Sequence, residues 1–80
     1  MPHSHSLAAS LETATVHIIS IATDTATRIR LLGMGLGKGS RIEVLRNRKG
    51  DMVLGSGHNR ISLGRSITQS IMVTPAGHDA

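Results

Sequence analysis

The sequence of 80 residues contains no cysteine, phenylalanine, tyrosine or tryptophan. Without cysteine, no disulfide can staple the chain and no thiolate can bind zinc or an iron–sulfur cluster. Without aromatic side chains, unpaired bases have no ring to stack on, which argues against single-stranded nucleic acid as a ligand. The hydrophobic core must therefore be aliphatic, built from leucine, isoleucine, valine, methionine and alanine.

Long hydrophobic runs are missing as well. No apolar stretch approaches the roughly 20 residues that a membrane-spanning helix needs. The N-terminus has no basic segment followed by an apolar stretch, so we expect no signal peptide and a cytoplasmic protein. The length allows one small domain, and a composition of 39% hydrophobic and 18% charged residues excludes a disordered polyelectrolyte.

Positive charge dominates and is concentrated in the centre of the chain. The net charge is +4, and all nine Lys and Arg residues lie between Arg28 and Arg65. Such a domain favours an acidic partner surface, nucleic acid or anionic lipid, although a solvated face that keeps the protein soluble is the simpler interpretation. The residues that we single out as candidate partner contacts lie on and beside a predicted hairpin: Arg46, Arg48, Lys49 and Arg60.

The two ends of the chain are predicted to lie outside the folded domain. Residues 1–14 are small and polar, and we interpret them as a flexible arm or a frayed helical turn. Pro75 is predicted to stop the last regular element. The domain is therefore predicted over residues 15–74, with a C-terminal tail over residues 75–80.

One helix is predicted after the first strand. Thr23 and Asp24 offer N-capping oxygens to the segment that starts at Thr25. The alternate glycines from Gly33 to Gly39 end the helix, because glycine is costly inside a helix and readily adopts the left-handed conformation. Apolar residues recur at spacings of three and four and predict one buried helical face: Ala26, Ile29, Leu32 and Leu36.

Short alternating segments predict five strands, with Gly55 and Gly57 indicating a bulge or strong bend. A hairpin turn over residues 47–51 joins the second and third strands, and one helical turn over residues 66–70 precedes the last. The prediction is a mainly β fold, a small five-stranded barrel with one inserted helix. The strand segments are residues 16–21, 41–46, 52–56, 60–63 and 71–74.

The sequence shows no arrangement typical of catalysis or of a metal site. Gly37-Lys38 is followed by Gly39 where a phosphate-binding loop needs Ser or Thr, and these glycines follow a helix instead of preceding one. The five histidines show no helical His-x-x-x-His spacing and no accompanying carboxylate cluster. His3 and His5 leave only adventitious metal binding open. We therefore expect no enzyme, no resident metal and no cofactor.

Two segments, taken in order, resemble the FeoA family. In the first, residues 30–45, a helix ends in Leu and is followed by Gly-Leu-x-x-Gly and an alternating strand. In the second, residues 59–73, a strand ends in Gly-Arg and leads through a helical turn to a final Ile-x-Val strand. Lys38 stands where many members carry proline. The matched positions are structural in character: Leu32, Gly35, Leu36, Gly39, Gly64, Ile71 and Val73.

This resemblance, which covers roughly residues 15–73, implies an SH3-like β-barrel with an inserted helix. Members of the family are small cytosolic accessory proteins of ferrous-iron uptake, thought to act with the GTPase-coupled membrane permease FeoB. The resemblance thus implies docking on the cytosolic part of such a permease. The candidate contacts are our own choice from the residues: Met34 and Leu36 at the helix end, where we expect an exposed apolar loop, and the basic residues named above, which lie next to it. The same domain also occurs at the C-terminus of DtxR-type metal-dependent repressors. The alternative is therefore a stand-alone regulatory domain that binds protein or nucleic acid. A third hypothesis is metal sensing or delivery.

Overall fold

A computed structural model of the chain describes residues 4–76, which form one antiparallel sheet of six strands and two helices. The strand order in the sheet is β1-β6-β2-β3-β4-β5. The mainly β fold is therefore confirmed, with one strand more than expected. The elements are β1 (His5–Ser6), β2 (Thr15–Ile21), α1 (Thr25–Gly33), β3 (Arg41–Arg48), β4 (Asp51–Ser56), β5 (Asn59–Leu63), α2 (Arg65–Thr68) and β6 (Ile71–Pro75).

The core is aliphatic, and the strands present it by alternation of buried and exposed residues, which two bulges interrupt. In β3, buried Ile42 and Val44 alternate with exposed Arg41 and Glu43, as the sequence pattern predicts. Strands β5 and β6 confirm the same alternation. The buried apolar residues form one cluster: Leu7, Val16, Ile18, Ile21, Leu31, Leu36, Ile42, Val44, Met52, Leu54, Ile61, Leu63, Ile71 and Val73.

The prediction of a flexible arm over residues 1–14 is wrong for the part of that segment that the structure describes. His5 and Ser6 pair with Val73 and Met72 of β6. Leu7 follows in a single 3₁₀ turn, Leu7–Ala9, and is fully buried. A small aliphatic core has few large side chains to draw on, and Leu7 supplies one of them from outside the alternating strands. The predicted domain end at residue 74 is too early, because β6 includes Pro75 and the Ala76 N–H donates to the Thr15 carbonyl at 2.9 Å. The rest of the predicted tail, residues 77–80, lies outside the described residues.

The buried face predicted for α1 is also wrong. The helix begins after the N-cap Asp24, as predicted, but its only buried residue is Leu31. Ile29 and Leu32 are 63% and 64% exposed. Leu36 is buried, yet it lies beyond the helix, which ends at Gly33. A helix of nine residues that touches the sheet along one edge can bury a single residue and leave the predicted apolar stripe in solvent.

Bulges bend the sheet at positions other than the predicted glycines. One extra residue, Ile19, interrupts the pairing of β2 with β6, and Leu45 does the same in β3 opposite β4. Gly55 lies beneath the second bulge, since a Cβ atom there would stand 3.4 Å from Leu45 Cδ1. Gly57, at φ +61°, begins the two-residue turn between β4 and β5.

The packing of Leu7 gives a direct test of the N-terminal segment. Leu7→Ala removes a fully buried side chain, so we expect it to lower the free energy of unfolding by about 2–5 kcal/mol. Leu11→Ala is the matched control, because Leu11 is 79% exposed and should change that free energy by less than about 0.5 kcal/mol. Denaturant titrations of both variants measure the difference. Equal, small losses would show that residues 5–14 do not pack on the sheet.

Candidate functional site

Helix α1 is held at its start by one carboxylate. Asp24 Oδ2 accepts a hydrogen bond from the Thr27 backbone N–H at 3.0 Å, and Asp24 Oδ1 accepts one from the Thr27 hydroxyl at 2.7 Å. These are the bonds of an N-cap, which satisfy a backbone donor that the helix itself leaves free. The cap therefore fixes Thr25 as the first residue of α1.

The glycine segment turns the chain at the other end of α1 and directs Leu36 into the core. Gly35 has φ +87° and the Leu36 N–H donates to the Leu31 carbonyl at 2.9 Å. The loop is then tied to β2, because the Gly39 N–H donates to the Ile18 carbonyl at 2.7 Å. Leu36 is therefore unavailable to a partner, and its assignment as a candidate contact is wrong. Met34, at the C-cap, is 36% exposed.

The exposed side of α1 carries what we call the apolar helix surface, made of Ile29 and Leu32, which lie three residues apart on one helical face. Leu32 lies over the loop that follows, since a Cβ atom on Gly37 would be 2.8 Å from Leu32 Cδ1. A groove of about 350 Å³ lies beside this surface, lined by residues of β2, α1 and the glycine segment. Both residues of this surface were missed as contacts, because helical periodicity assigned Ile29 and Leu32 to the core.

The basic candidates Arg46, Arg48 and Lys49 lie on the β3–β4 hairpin. Lys49 and Gly50 form its two-residue turn, with φ of +53° and +96°. Asn47 stabilises the turn, because its Oδ1 accepts from the Gly50 N–H at 2.8 Å. All three basic side chains are exposed.

Helix α2 packs against the hairpin turn and adds a fourth cation to it. The Arg65 backbone N–H donates to Asp51 Oδ1 at 2.9 Å, and the Thr68 hydroxyl donates to the Gly50 carbonyl at 2.6 Å. The side chain of Arg65 lies against Gly50, where a Cβ atom would come within 2.5 Å of Arg65 Cγ. Arg65 therefore shares the hairpin end of the domain with Lys49, an association that the sequence does not reveal.

The structure divides the predicted contacts into two groups. Met34 and Arg60 lie near the end of β4 at Ser56, since Gly35 approaches Ser56 Oγ and Arg60 pairs with Gly55. Arg48 and Lys49 lie at the opposite end of β4, where Arg48 pairs with Asp51. Six residues of extended chain separate these ends by roughly 17 Å. The predicted patch is therefore two surfaces.

The histidines of the described residues lie in three different segments, His5 in β1, His17 in β2 and His58 in the turn between β4 and β5. His5 Nε2 lies 3.0 Å from Ser10 Oγ, whereas His17 lies opposite Arg41 in the sheet. Among residues 4–76, no group of three or more His, Cys, Asp or Glu side chains is placed to hold a metal ion. His3 and His78 lie outside the described residues. Within that same range, the structure has no helix of the length and apolarity required to span a bilayer.

Comparisons with known proteins agree with this architecture. A family model described as the FeoA domain matches residues 5–75. The crystal structure of an iron uptake regulatory protein (FeoA) is 23% identical, with a TM-score of 0.82 over 90% of this chain and 97% of that chain. The FeoA protein from Chlorobium tepidum is 22% identical, with a TM-score of 0.81 over 94% of this chain and 73% of that one.

A manganese-dependent transcriptional repressor is also similar in structure. It is 23% identical, with a TM-score of 0.81, and the match covers 94% of this chain but only 43% of the repressor. No curated protein sequence matches the chain significantly. At these identities the structural similarities establish the fold, and they confirm the predicted SH3-like architecture.

The Asp24 cap predicts a specific pH dependence of stability. Hydrogen bonds from the Thr27 hydroxyl and then from its backbone N–H lower the pKa of the Asp24 carboxyl below its usual value. The stability that this ionised carboxylate provides is fully present above the unfolded pKa of about 3.9 and is lost as pH falls through the lower, folded pKa. Asp24→Asn retains a capping oxygen but not the charge.

We therefore expect wild type to be more stable than Asp24→Asn at about pH 7, with the difference shrinking by about pH 3. Urea midpoints of both proteins at the two pH values measure it, and the other carboxylates cancel because both proteins share them. A difference that is independent of pH would show that the charge of Asp24 does not contribute to the cap.

Proposed function

Because the chain belongs to the FeoA domain family, we propose that it is a non-catalytic accessory protein of ferrous-iron uptake that docks on the cytosolic part of a FeoB-type permease. The structurally similar iron uptake regulatory protein (FeoA), which this chain matches over 97% of its length, supports this role. The proposal concerns a contact between proteins and does not require a reaction at the surface of this chain.

The observation that carries the proposal is the apolar helix surface. Ile29 and Leu32 are each more than 60% exposed, although they are large aliphatic side chains on a well-capped helix. Burial of such a side chain on binding is favourable by about 1.5–3 kcal/mol. Two of them, next to one another on a capped helix, can anchor a protein–protein contact.

Charge around the apolar helix surface indicates the character of the partner. Arg28 and Arg30 of α1 and Lys38 of the glycine segment are exposed beside it. Arg28 Nη1 also donates to the Ile21 carbonyl at 3.3 Å, which orients that side chain along the helix. A partner face with apolar residues at its centre and carboxylates at its rim would be complementary to this arrangement.

The other predicted contacts lie at different distances from the apolar helix surface. Met34, at the C-cap of α1, lies near the same end of β4 as Arg60. Arg46 pairs with Val53 in the middle of β4, and Arg48 and Lys49 lie at its far end, so a partner that covers both Met34 and Lys49 must reach roughly 17 Å along the sheet. We assign the apolar helix surface as the main contact and the hairpin residues as a second one.

Replacing both exposed aliphatic residues of α1 should abolish docking. We expect Ile29→Asp/Leu32→Asp to weaken binding to a purified FeoB-type cytosolic domain by at least tenfold, because it removes the apolar contact and introduces charge. Isothermal titration calorimetry measures the affinity, and circular dichroism verifies the fold. Leu11→Asp is the matched control, since Leu11 is 79% exposed and lies outside the surface.

Two outcomes would contradict this assignment. If the double variant remains folded and binds as tightly as wild type, α1 is not the contact. If Leu11→Asp weakens binding as much as the double variant does, added negative charge explains the loss and the apolar helix surface does not.

The alternative, a regulatory domain of the repressor type, is favoured by one observation, the match to 94% of this chain within a manganese-dependent transcriptional repressor. If the chain binds duplex DNA through its six basic residues from Arg41 to Arg65, affinity should fall about a thousandfold between about 50 and 200 mM salt. Fluorescence anisotropy with a labelled duplex measures this. Our proposal predicts no such binding, and a steep salt dependence would favour the alternative.

A further inference from the structure

The hairpin end of the domain has a concave surface that the main docking contact does not use. Two adjoining depressions, of about 420 and 590 Å³, share Arg48, Asp51 and Gly64 and together form what we call the basic groove. One depression runs over the outer face of β3, β4 and β5, and the other continues around the hairpin turn to α2. The basic side chains along the groove are Arg46, Arg48, Lys49 and Arg65.

Sheet register determines the floor of the basic groove. Arg46 pairs with Val53, and Val53 pairs with Ser62, so these three side chains lie in one row across the outer face. Val53 is half-buried and is the only apolar side chain of that row. The floor therefore offers one aliphatic contact and one hydroxyl in the row that begins with Arg46, and Arg48 paired with Asp51 forms the next row toward the turn.

The single carboxylate of the groove has a structural role. Asp51 Oδ1 accepts from the Arg65 backbone N–H, which fixes the start of α2 against the hairpin. Four cations thus face one carboxylate, and the local charge is positive by three. Arginine is the cation best suited to this geometry, because its planar guanidinium binds carboxylates through two parallel hydrogen bonds.

The composition of the chain limits what the groove can bind. SH3 domains bind polyproline segments in grooves lined with aromatic residues, and this sequence has none. Base stacking is excluded for the same reason. An extended peptide can follow a depression that continues from the sheet face around a turn, and carboxylates along it would be complementary to the cations that line it.

We propose that the basic groove binds an extended acidic peptide segment of a partner protein. The segment would place carboxylates against Arg46, Arg48 and Arg65 and a small side chain over Val53. About six residues suffice, since an extended chain rises ~3.3 Å per residue and the domain is 24 Å across. The inference deepens the proposed function only in that the segment would belong to the docked partner, and it can be tested without that partner.

The experiment uses the full chain and a fluorescein-labelled peptide of about six residues that alternates Glu with Ala, with a Gln-for-Glu peptide as the matched ligand. Anisotropy titrations should give binding of the Glu peptide at least tenfold tighter than of the Gln peptide. Arg46→Gln/Arg48→Gln should weaken Glu-peptide binding about tenfold, because two charge-assisted contacts are lost. Both residues are exposed, so the variant should fold normally.

A control of equal charge separates the groove from the net charge of the chain. Arg30→Gln/Lys38→Gln also removes two exposed cations, but from positions outside the groove, and should change binding less than twofold. Equal losses in the two double variants would overturn the proposal. So would equal affinity for the two peptides, or tighter binding to phosphatidylglycerol vesicles or to a DNA duplex than to the Glu peptide.

The same variants distinguish this inference from the docking proposal. Ile29→Asp/Leu32→Asp should bind the Glu peptide as wild type does, since neither residue lines the basic groove. If the peptide binds the groove while the permease domain does not bind the chain, the docking proposal fails and the groove remains. If the permease domain binds the chain and the peptide does not, the groove proposal fails and the docking proposal remains.

Discussion

The constraint on which the rest of the structure depends is a core that must be closed without a single aromatic ring. Aliphatic side chains are small, so the core needs many of them, and fourteen apolar residues are buried in the described part of the chain. Regular strands alone do not supply that number. The core therefore includes Leu7 from a 3₁₀ turn and Leu36 from the glycine segment, and both are fully buried. These two side chains tie otherwise irregular segments to the sheet.

The same constraint explains which features could be predicted from the sequence. Alternation in β3, β5 and β6 follows from the period of a pleated strand with one buried face, and the structure confirms it. The N-cap at Asp24 and the turn at Gly50 depend on local chemistry and were equally accessible. The buried side of α1 was not, because spacing along a helix defines a stripe but not which neighbour, if any, covers it. Leu7 was missed because a lone apolar residue has no period.

The features of the candidate site also differ in how far the sequence predicts them. Clustering of Arg46, Arg48 and Lys49 follows from their positions around one hairpin, and a sequence pattern reveals it. The approach of Arg65 depends on a tertiary contact, in which Gly50 leaves room for the arginine stem and its carbonyl accepts from Thr68. The separation of Met34 from the hairpin depends on strand order. No local pattern contains either relation, since both join residues far apart in the chain.

Polar groups then decide what the surface can offer to a partner. Of the carboxylates in the described residues, Asp24, Asp51 and Glu12 each accept a hydrogen bond from a backbone N–H, of Thr27, Arg65 and Asn47 respectively. They serve as caps and turn anchors that a short, loop-rich chain requires, because unpaired backbone donors are costly wherever water is excluded. The arginines of the hairpin have no comparable structural task, apart from the stem of Arg65 on Gly50. The surface is cationic because nine Lys and Arg residues outnumber five Asp and Glu residues, and complementarity to acidic partners depends on where the fold places those cations.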